Sequence, residues 1–211
     1  MKIVNLDGYT TNPGDLSWDW LGNYGEYKVY DRTAPEQIVE RAKGADILII
    51  NKSVITAQML ENLPNLKFVG LQSTGYNVID CKAARARNIT VSNIPAYSTT
   101  GVAQLVFAFI LQVADNVSLH SDAVHNGEWC ECPDFCFWKT PLTELDGKTI
   151  GIIGFGSIGR RVAQIANAFG MNVEVFTTHP KPDEYKNVNF VDFDTLLSDS
   201  DFITCHCPLT E

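Results

Sequence analysis

The chain has 211 residues, 45% of them hydrophobic and 19% charged. At ~150 residues per domain that is one large domain or two small ones, with enough apolar material for a sizeable core. Lys and Arg number 16 against 25 Asp and Glu, a formal charge of −9, which argues against nucleic acid or an anionic membrane as partner, because both are held by basic clusters. No stretch reaches the ~18 apolar residues of a membrane span. Met1 to Asp7 carries one basic residue and no long apolar run, so no secretory leader is read and a cytoplasmic protein is expected. The cysteines are Cys81, Cys130, Cys132, Cys136, Cys205 and Cys207. Reduced thiols are expected, and the spacing of the Cys130–Cys132–Cys136 cluster is not that of a zinc site, so no metal is expected.

The first hundred residues alternate short apolar runs with polar helical ones. Strands are expected at 2–6, 27–30, 46–50, 66–71 and 89–91, and helices at 35–43, 56–62 and 78–87. Thr33-Ala34-Pro35-Glu36 reads as a capping box with proline in the first turn. Ile47-Leu48-Ile49-Ile50 is apolar on both faces, which suits a central parallel strand. Strand–helix alternation implies right-handed βαβ units and an open α/β sheet.

A break rich in Pro, Gly and hydroxyl residues follows from Asn93 to Gly101, and a domain boundary is placed near Thr100. From Val102 to Ala114 only Gln104 and Gln112 are polar. A helix apolar all round is expected to be buried, in a core or against another subunit. Residues 126–143 show no clean period and read as a long aromatic connection packed on something. A buried strand is then expected at 148–153, a helix at 160–169, strands at 172–176 and 188–191, a helix at 193–198 and a strand at 201–205.

Gly154-Phe155-Gly156-Ser157-Ile158-Gly159 lies between that strand and that helix, the context that makes a GxGxxG pattern specific for a dinucleotide. Gly154 permits the tight turn, Gly156 lets backbone N–H groups approach a pyrophosphate, and Gly159 allows close helix–strand packing. An NAD site places an acidic residue at the end of the second strand, ~20 residues on. Here that position holds Thr177, followed by Thr178, His179 and Lys181. A 2′-phosphate fits better there than beside a carboxylate, and a relaxed NAD site stays open, so NAD or NADP is expected.

Taken together these stretches resemble the D-isomer-specific 2-hydroxyacid dehydrogenases, nearest their glycerate dehydrogenase, or hydroxypyruvate reductase, branch. The likeness is carried by Leu71 to Asn77, Asn93 to Gln104, Gly127-x-Trp129, Leu145-x-Gly147-Lys148-Thr149, the glycine fingerprint and His206 to Thr210. It implies a two-domain α/β fold. Residues 1–100 would form a flavodoxin-like substrate domain, incomplete without a C-terminal helix. Residues 101–211 would form a truncated Rossmann-type NAD(P)-binding domain. It further implies hydride transfer between a nicotinamide and a small 2-keto or 2-hydroxy acid such as hydroxypyruvate or glycerate.

By the same resemblance Thr74 and Gly75 would bind the substrate carboxylate through backbone N–H groups. Ser157 and Ile158 would lie on the pyrophosphate, Thr177 on the adenosine ribose, and Cys207 and Pro208 near the adenine; Thr178 is counted with the cofactor-binding residues for the hydroxyl it offers beside Thr177. The family's catalytic Arg, acid and His would all fall beyond Glu211, so no catalytic residue is assigned within the chain and a fragment without activity of its own is expected. A homodimer is expected from the apolar helix and the aromatic connection. The alternative is a non-catalytic, dinucleotide-sensing regulator of the C-terminal-binding-protein type. A weaker one is a metal-binding regulator built on the cysteine cluster.

Overall fold

Each short apolar run of the first half becomes one parallel strand, and the polar segments between them carry the chain back across the sheet. The computed structural model describes residues 1–207 and divides the chain into two units, Met1–Tyr97 and Ser98–Glu211. In the first, β1 (Lys2–Asn5) leads through two 3-10 turns, Gly8–Thr10 and Asp19–Asn23, to β2 (Glu26–Val29). A further 3-10 turn, Pro35–Gln37, runs into α1 (Ile38–Ala42), and then come β3 (Ile47–Ile50), α2 (Ala57–Glu61), β4 (Phe68–Leu71), α3 (Cys81–Ala86) and β5 (Thr90–Ser92).

The sheet order is β2-β1-β3-β4-β5 and every pairing is parallel, the flavodoxin-like arrangement. Val4, Leu48, Ile50, Val69 and Leu71 are buried from the strands and pack with Ile38 and Leu60 from the helices. Each such side chain contributes roughly 1.5–3 kcal/mol. The helices α2 and α3 start where a side chain can cap them. Thr56 accepts from Met59 N at 3.3 Å and Asp80 from Ala83 N at 2.8 Å.

Two local readings are corrected. Thr33 caps nothing: its hydroxyl donates to Leu6 O at 2.8 Å, and Ala34 precedes the 3-10 turn without a side-chain cap. The helix expected from residue 78 starts at Cys81, because Ile79 is drawn into a bridge with Ile55.

The second unit opens with α4 (Thr99–Asp115), α5 (Val117–His125) and the short α6 (Glu128–Glu131). It continues with β6 (Thr149–Ile153), α7 (Ser157–Ala168), β7 (Asn172–Phe176), β8 (Asn189–Phe190), α8 (Phe193–Asp199) and β9 (Phe202–Cys205). Its four-stranded sheet is parallel, in the order β8-β7-β6-β9. Ile150, Ile152, Val173 and Val175 pack with Val162 and Ala166 of α7 and with Ala103, Phe107 and Ile110 of α4. Phe107 stacks on Phe169, ring centroids 5.3 Å apart.

The apolar helix α4 is not buried all round. Ala103, Phe107, Ile110 and Ala114 face the core, while Leu105 (52%), Phe109 (63%) and Val113 (70%) face outward and stay exposed. The aromatic connection is likewise packed only in part: Trp129 and His120 lie against Phe137, but Phe135 is 92% exposed. Helix α5 was not expected. Asn116, in the left-handed conformation with φ 48°, ends α4 and restarts the chain as α5, a role for which Asn is among the few suited residues.

Candidate functional site

The glycine turn between β6 and α7 is built as the sequence requires. Gly154 has φ +92°, and a Cβ there would lie 2.7 Å from the backbone of His206 and Cys207, so only glycine fits between those two chain segments. A Cβ on Gly159 would lie 2.3 Å from Gly154 O, which is how α7 comes to rest against the turn. Gly156 is different: a Cβ there meets no protein atom within 4 Å. Its freedom of space is on the side of the turn that faces outward.

Gly156 also precedes α7 without a side-chain cap, and the first intrahelical bond runs from Arg160 N to Gly156 O at 3.0 Å. The N–H groups of Ser157, Ile158 and Gly159 are therefore the free donors of the helix's first turn. They stand at the positive end of a helix of 12 residues.

A cavity of about 810 Å³ opens at this turn, at the C-terminal ends of β6, β7 and β9. Gly154, Phe155, Gly156, Thr177, Thr178 and Cys207 line it together, as do Arg160, His179, Lys181, Tyr185 and His206. Ser157, Ile158 and Gly159 stand behind it in the first turn of α7; the Ile158 side chain packs on the core, so only its backbone is available. Pro208 lies outside the described residues.

Phe155 is held edge-on by Tyr185 and Phe190 at 5.1 and 5.6 Å. The Thr178 hydroxyl contacts His179 Nδ1 at 2.8 Å, and the Thr177 hydroxyl accepts from His179 N at 3.4 Å. Burial pushes the His206 imidazole below its usual pKa, favouring its neutral form, and Nε2 lies 2.9 Å from the Thr204 hydroxyl.

Among the described residues no acidic side chain lines this cavity, while Arg160 and Lys181 do. Lys181 is paired with Glu184 at 2.9 Å, which raises its pKa. Arg160 reaches the cavity and approaches Phe155 O at 3.4 Å, a placement the sequence reading did not assign. The signal was available: side chains of a helix point back toward its N-terminus, and Arg160 directly follows Gly159. The turn, the open space at Gly156, the free first-turn donors and the two cations on the wall together suit a dinucleotide.

In the first unit a cavity of about 820 Å³ lies at the C-terminal ends of β1, β3 and β4. Thr10, Asn12, Trp18, Trp20, Asn51, Lys52, Gln72, Ser73 and Tyr97 are among its walls. Thr74 and Gly75 follow Ser73 in the same loop. Thr74 is tied through its hydroxyl to Ile94 O at 3.0 Å, its own carbonyl accepts from Asn93 Nδ2 at 2.7 Å, and the Ser73 hydroxyl donates to Gly75 O at 2.7 Å. Carbonyls and hydroxyls are thus engaged, while among the described residues no protein acceptor takes the N–H of Thr74 or Gly75.

Beneath this cavity lies a network the sequence did not reveal. Asp7, 3% exposed, accepts through Oδ2 from the backbone N–H groups of Asn51 (2.7 Å), Lys52 (3.0 Å) and Ser53 (3.0 Å) and through Oδ1 from the Ser53 hydroxyl (2.9 Å). The carboxylate fixes the backbone of the loop after β3.

Residues 107–211 match the family described as D-isomer specific 2-hydroxyacid dehydrogenase, NAD binding domain. The chain is 46% identical over 213 residues to a hydroxypyruvate reductase of Blautia hydrogenotrophica, covering 99% of this chain and 66% of that protein. It is 39% identical over 186 residues to a glycerate dehydrogenase of Methylorubrum extorquens, covering 88% and 57%. Among solved structures, an acyclic imino acid reductase in complex with NADPH and D-Arg superposes with a TM-score of 0.80 at 32% identity, covering 100% of this chain and 66% of that one. A D-lactate dehydrogenase from Aquifex aeolicus, complexed with NAD and lactic acid, gives 0.79 at 27% identity, covering 100% and 61%. The chain spans less than two thirds of the length of these relatives.

Proposed function

The chain belongs to the D-isomer-specific 2-hydroxyacid dehydrogenase family, and on that premise we propose that it serves hydride transfer between a nicotinamide dinucleotide and a small 2-keto acid such as hydroxypyruvate or glyoxylate. The observation that carries this reading is the Gly154–Gly159 turn, with open space at Gly156 and a cavity at the strand ends. When bound, the nicotinamide supplies or accepts a hydride at the substrate's carbonyl carbon.

The chain's own residues bind and orient. The first-turn N–H groups of α7 hold the pyrophosphate, and Thr177 and Thr178 hydrogen-bond the adenosine ribose. Arg160 and Lys181, on a wall with no carboxylate among the described residues, favour a 2′-phosphate, so NADP is accepted beside NAD. The free N–H groups of Thr74 and Gly75 hold the substrate carboxylate.

Protonation of the developing alkoxide needs a general acid tuned near neutral pH, and we assign that role to no residue of these 211. His206 lines the cavity assigned to the dinucleotide, and Lys52 lines the cavity of the first unit. The test is NADH and NADPH consumption with hydroxypyruvate and glyoxylate, by the 211-residue chain and by a chain extended along its coding frame. Turnover by the extended chain alone is expected. Robust turnover by the 211-residue chain would place a catalytic acid within it, and none by either chain would overturn the assignment.

The outward stripe Leu105, Phe109 and Val113 on α4 favours a homodimer, since a symmetric pair covers both copies of one patch. Sedimentation of wild type against Phe109→Glu checks this; a wild-type monomer refutes it.

A further inference from the structure

Trp129 ties two cysteines of the aromatic connection to one another. Its carbonyl accepts from Cys132 N at 3.3 Å, where Cys132 ends α6. Its indole Nε1 donates to Phe135 O at 3.2 Å, and its ring lies 5.7 Å from that of Phe137. Cys136 stands between Phe135 and Phe137, so both its neighbours are held on the residue that also holds Cys132. The chain bends at residues 133–135, and the Cys132 thiol points at Cys136 O, 3.6 Å away.

A carbonyl oxygen is ~2.4 Å from its own Cα, which puts the Cys132 sulfur within about 6 Å of Cys136 Cα. The Cα atoms of a disulfide stand ~4.4–6.8 Å apart. Residues 132–148 form neither helix nor strand, so no ladder opposes a small closing movement. Cys130 is placed differently. It lies inside α6, two positions before Cys132, and helix positions two apart do not face each other. Among the described residues no three His, Cys, Asp or Glu side chains are grouped to hold a metal ion, so the close approach is between two thiols. Those two differ in access: Cys136 is exposed and lines a cavity of about 390 Å³ with Val117, Val124 and Phe137, whereas Cys132 is half-buried.

We propose that Cys132 and Cys136 form a redox-modification site, a dithiol that a low-molecular-weight disulfide oxidises reversibly to one intrachain disulfide. The Cys136 thiolate attacks one sulfur of the small disulfide; a mixed disulfide forms and the first small thiolate leaves. The Cys132 thiolate then attacks Cys136 Sγ, the Sγ–Sγ bond forms and the second small thiolate leaves. The protein thiols lose two electrons, the small disulfide gains them, and the two cysteine protons end on the released thiols. Closing so short a loop stabilises little, and an exposed disulfide is readily reduced, so excess small thiol reverses the step.

The experiment treats the protein expressed from its full coding frame with hydroxyethyl disulfide, an uncharged probe that Glu131 and Asp134 do not repel. Remaining thiols are then alkylated. No Lys or Arg lies between Arg87 and Lys139, so one tryptic peptide carries Cys130, Cys132 and Cys136, and mass spectrometry reads them together. The expected peptide has lost two of its three alkylation sites, is joined Cys132 to Cys136 with Cys130 alkylated, and regains all three after mercaptoethanol. Cys130→Ser should keep the link, and Cys132→Ser should stop at the mixed disulfide on Cys136. A wild-type peptide that stays fully alkylated, keeps the probe on Cys136, is joined through Cys130 or is joined to a second chain would overturn the inference.

Discussion

Alanine at Gly156 and at Gly159 separates binding a ligand from holding the fold. At Gly156 φ is −76°, a value any L-residue adopts, and a Cβ meets no protein atom within 4 Å. The ligand-free protein should hardly notice it: losing a glycine ahead of the helix costs at most ~1 kcal/mol. The methyl instead fills the space through which the backbone approaches a pyrophosphate. The expected result is a rise in Kd for NADH and NADPH of at least tenfold, about 1.4 kcal/mol.

At Gly159 the same substitution puts Cβ 2.3 Å from Gly154 O and 3.3 Å from Ile152 Cγ2. Neither the backbone oxygen nor the core strand gives way cheaply, so α7 must shift off β6. Overpacking of this kind costs about 1–3 kcal/mol, and each kcal/mol lowers Tm by roughly 4–8 °C in a unit of this size. The assay is a fluorescence titration with both dinucleotides beside thermal melts of wild type and the two variants. Unchanged affinity in Gly156→Ala, or a fall in its Tm as large as that of Gly159→Ala, would refute the assignment of the turn as a phosphate cradle.

Thr177→Asp should move the ratio of NADH to NADPH affinity toward NADH, since a carboxylate accepts ribose hydroxyls and repels a 2′-phosphate; a ratio that stays put means Thr177 does not face the ribose. Asp7→Ala strands the N–H groups of Asn51, Lys52 and Ser53 and should destabilise the first unit by about 3–5 kcal/mol. Urea unfolding reads this as a lower midpoint, and a loss under about 1 kcal/mol would show that water replaces the carboxylate. Burial, with the charge of Asp199 nearby, holds the Glu174 carboxyl above its usual pKa, so its folding penalty is absent below the ordinary carboxylate range and grows as pH rises through the raised value. The Tm gain of Glu174→Gln over wild type should therefore be larger at about pH 7 than at about pH 4; a gain that does not change with pH removes the titration of Glu174 as its cause.

The strands were legible because parallel strands covered on both faces leave apolar runs that no helix of the same length needs. Expected and observed strands differ by a residue or two at their ends. The glycine turn was legible because each glycine answers a steric demand visible in the pattern. What escaped the sequence depends on partners distant along the chain. Thr33 has the spacing of a cap, but Leu6 O competes for its hydroxyl from 27 positions away. Asp7 reaches Asn51, Lys52 and Ser53 across 44 to 46 positions, and nothing local marks it as buried. For α4 the composition was read correctly as apolar, but composition cannot say which side of a helix finds a core; Phe107 does and Phe109 does not.

The placement of both cavities follows from the order of the strands. In the first sheet the chain steps from β1 outward to β2, then returns past β1 to β3 and onward to β5. In the second it steps from β6 outward through β7 to β8, then returns past β6 to β9. Right-handed crossovers in opposite directions place their connections on opposite faces of the sheet. The loops at the C-terminal ends of the two strands flanking the reversal therefore diverge and leave a crevice. In the second unit those strands are β6 and β9, and the crevice receives Gly154 to Gly156 from one and His206 and Cys207 from the other. In the first they are β1 and β3, and it receives Thr10 to Asn12 and Asn51 with Lys52. Winding thus fixes where a ligand can enter each unit, but not which ligand. In one crevice the proposed phosphate site rests on the glycines, with open space at Gly156 and backbone close against Gly154 and Gly159.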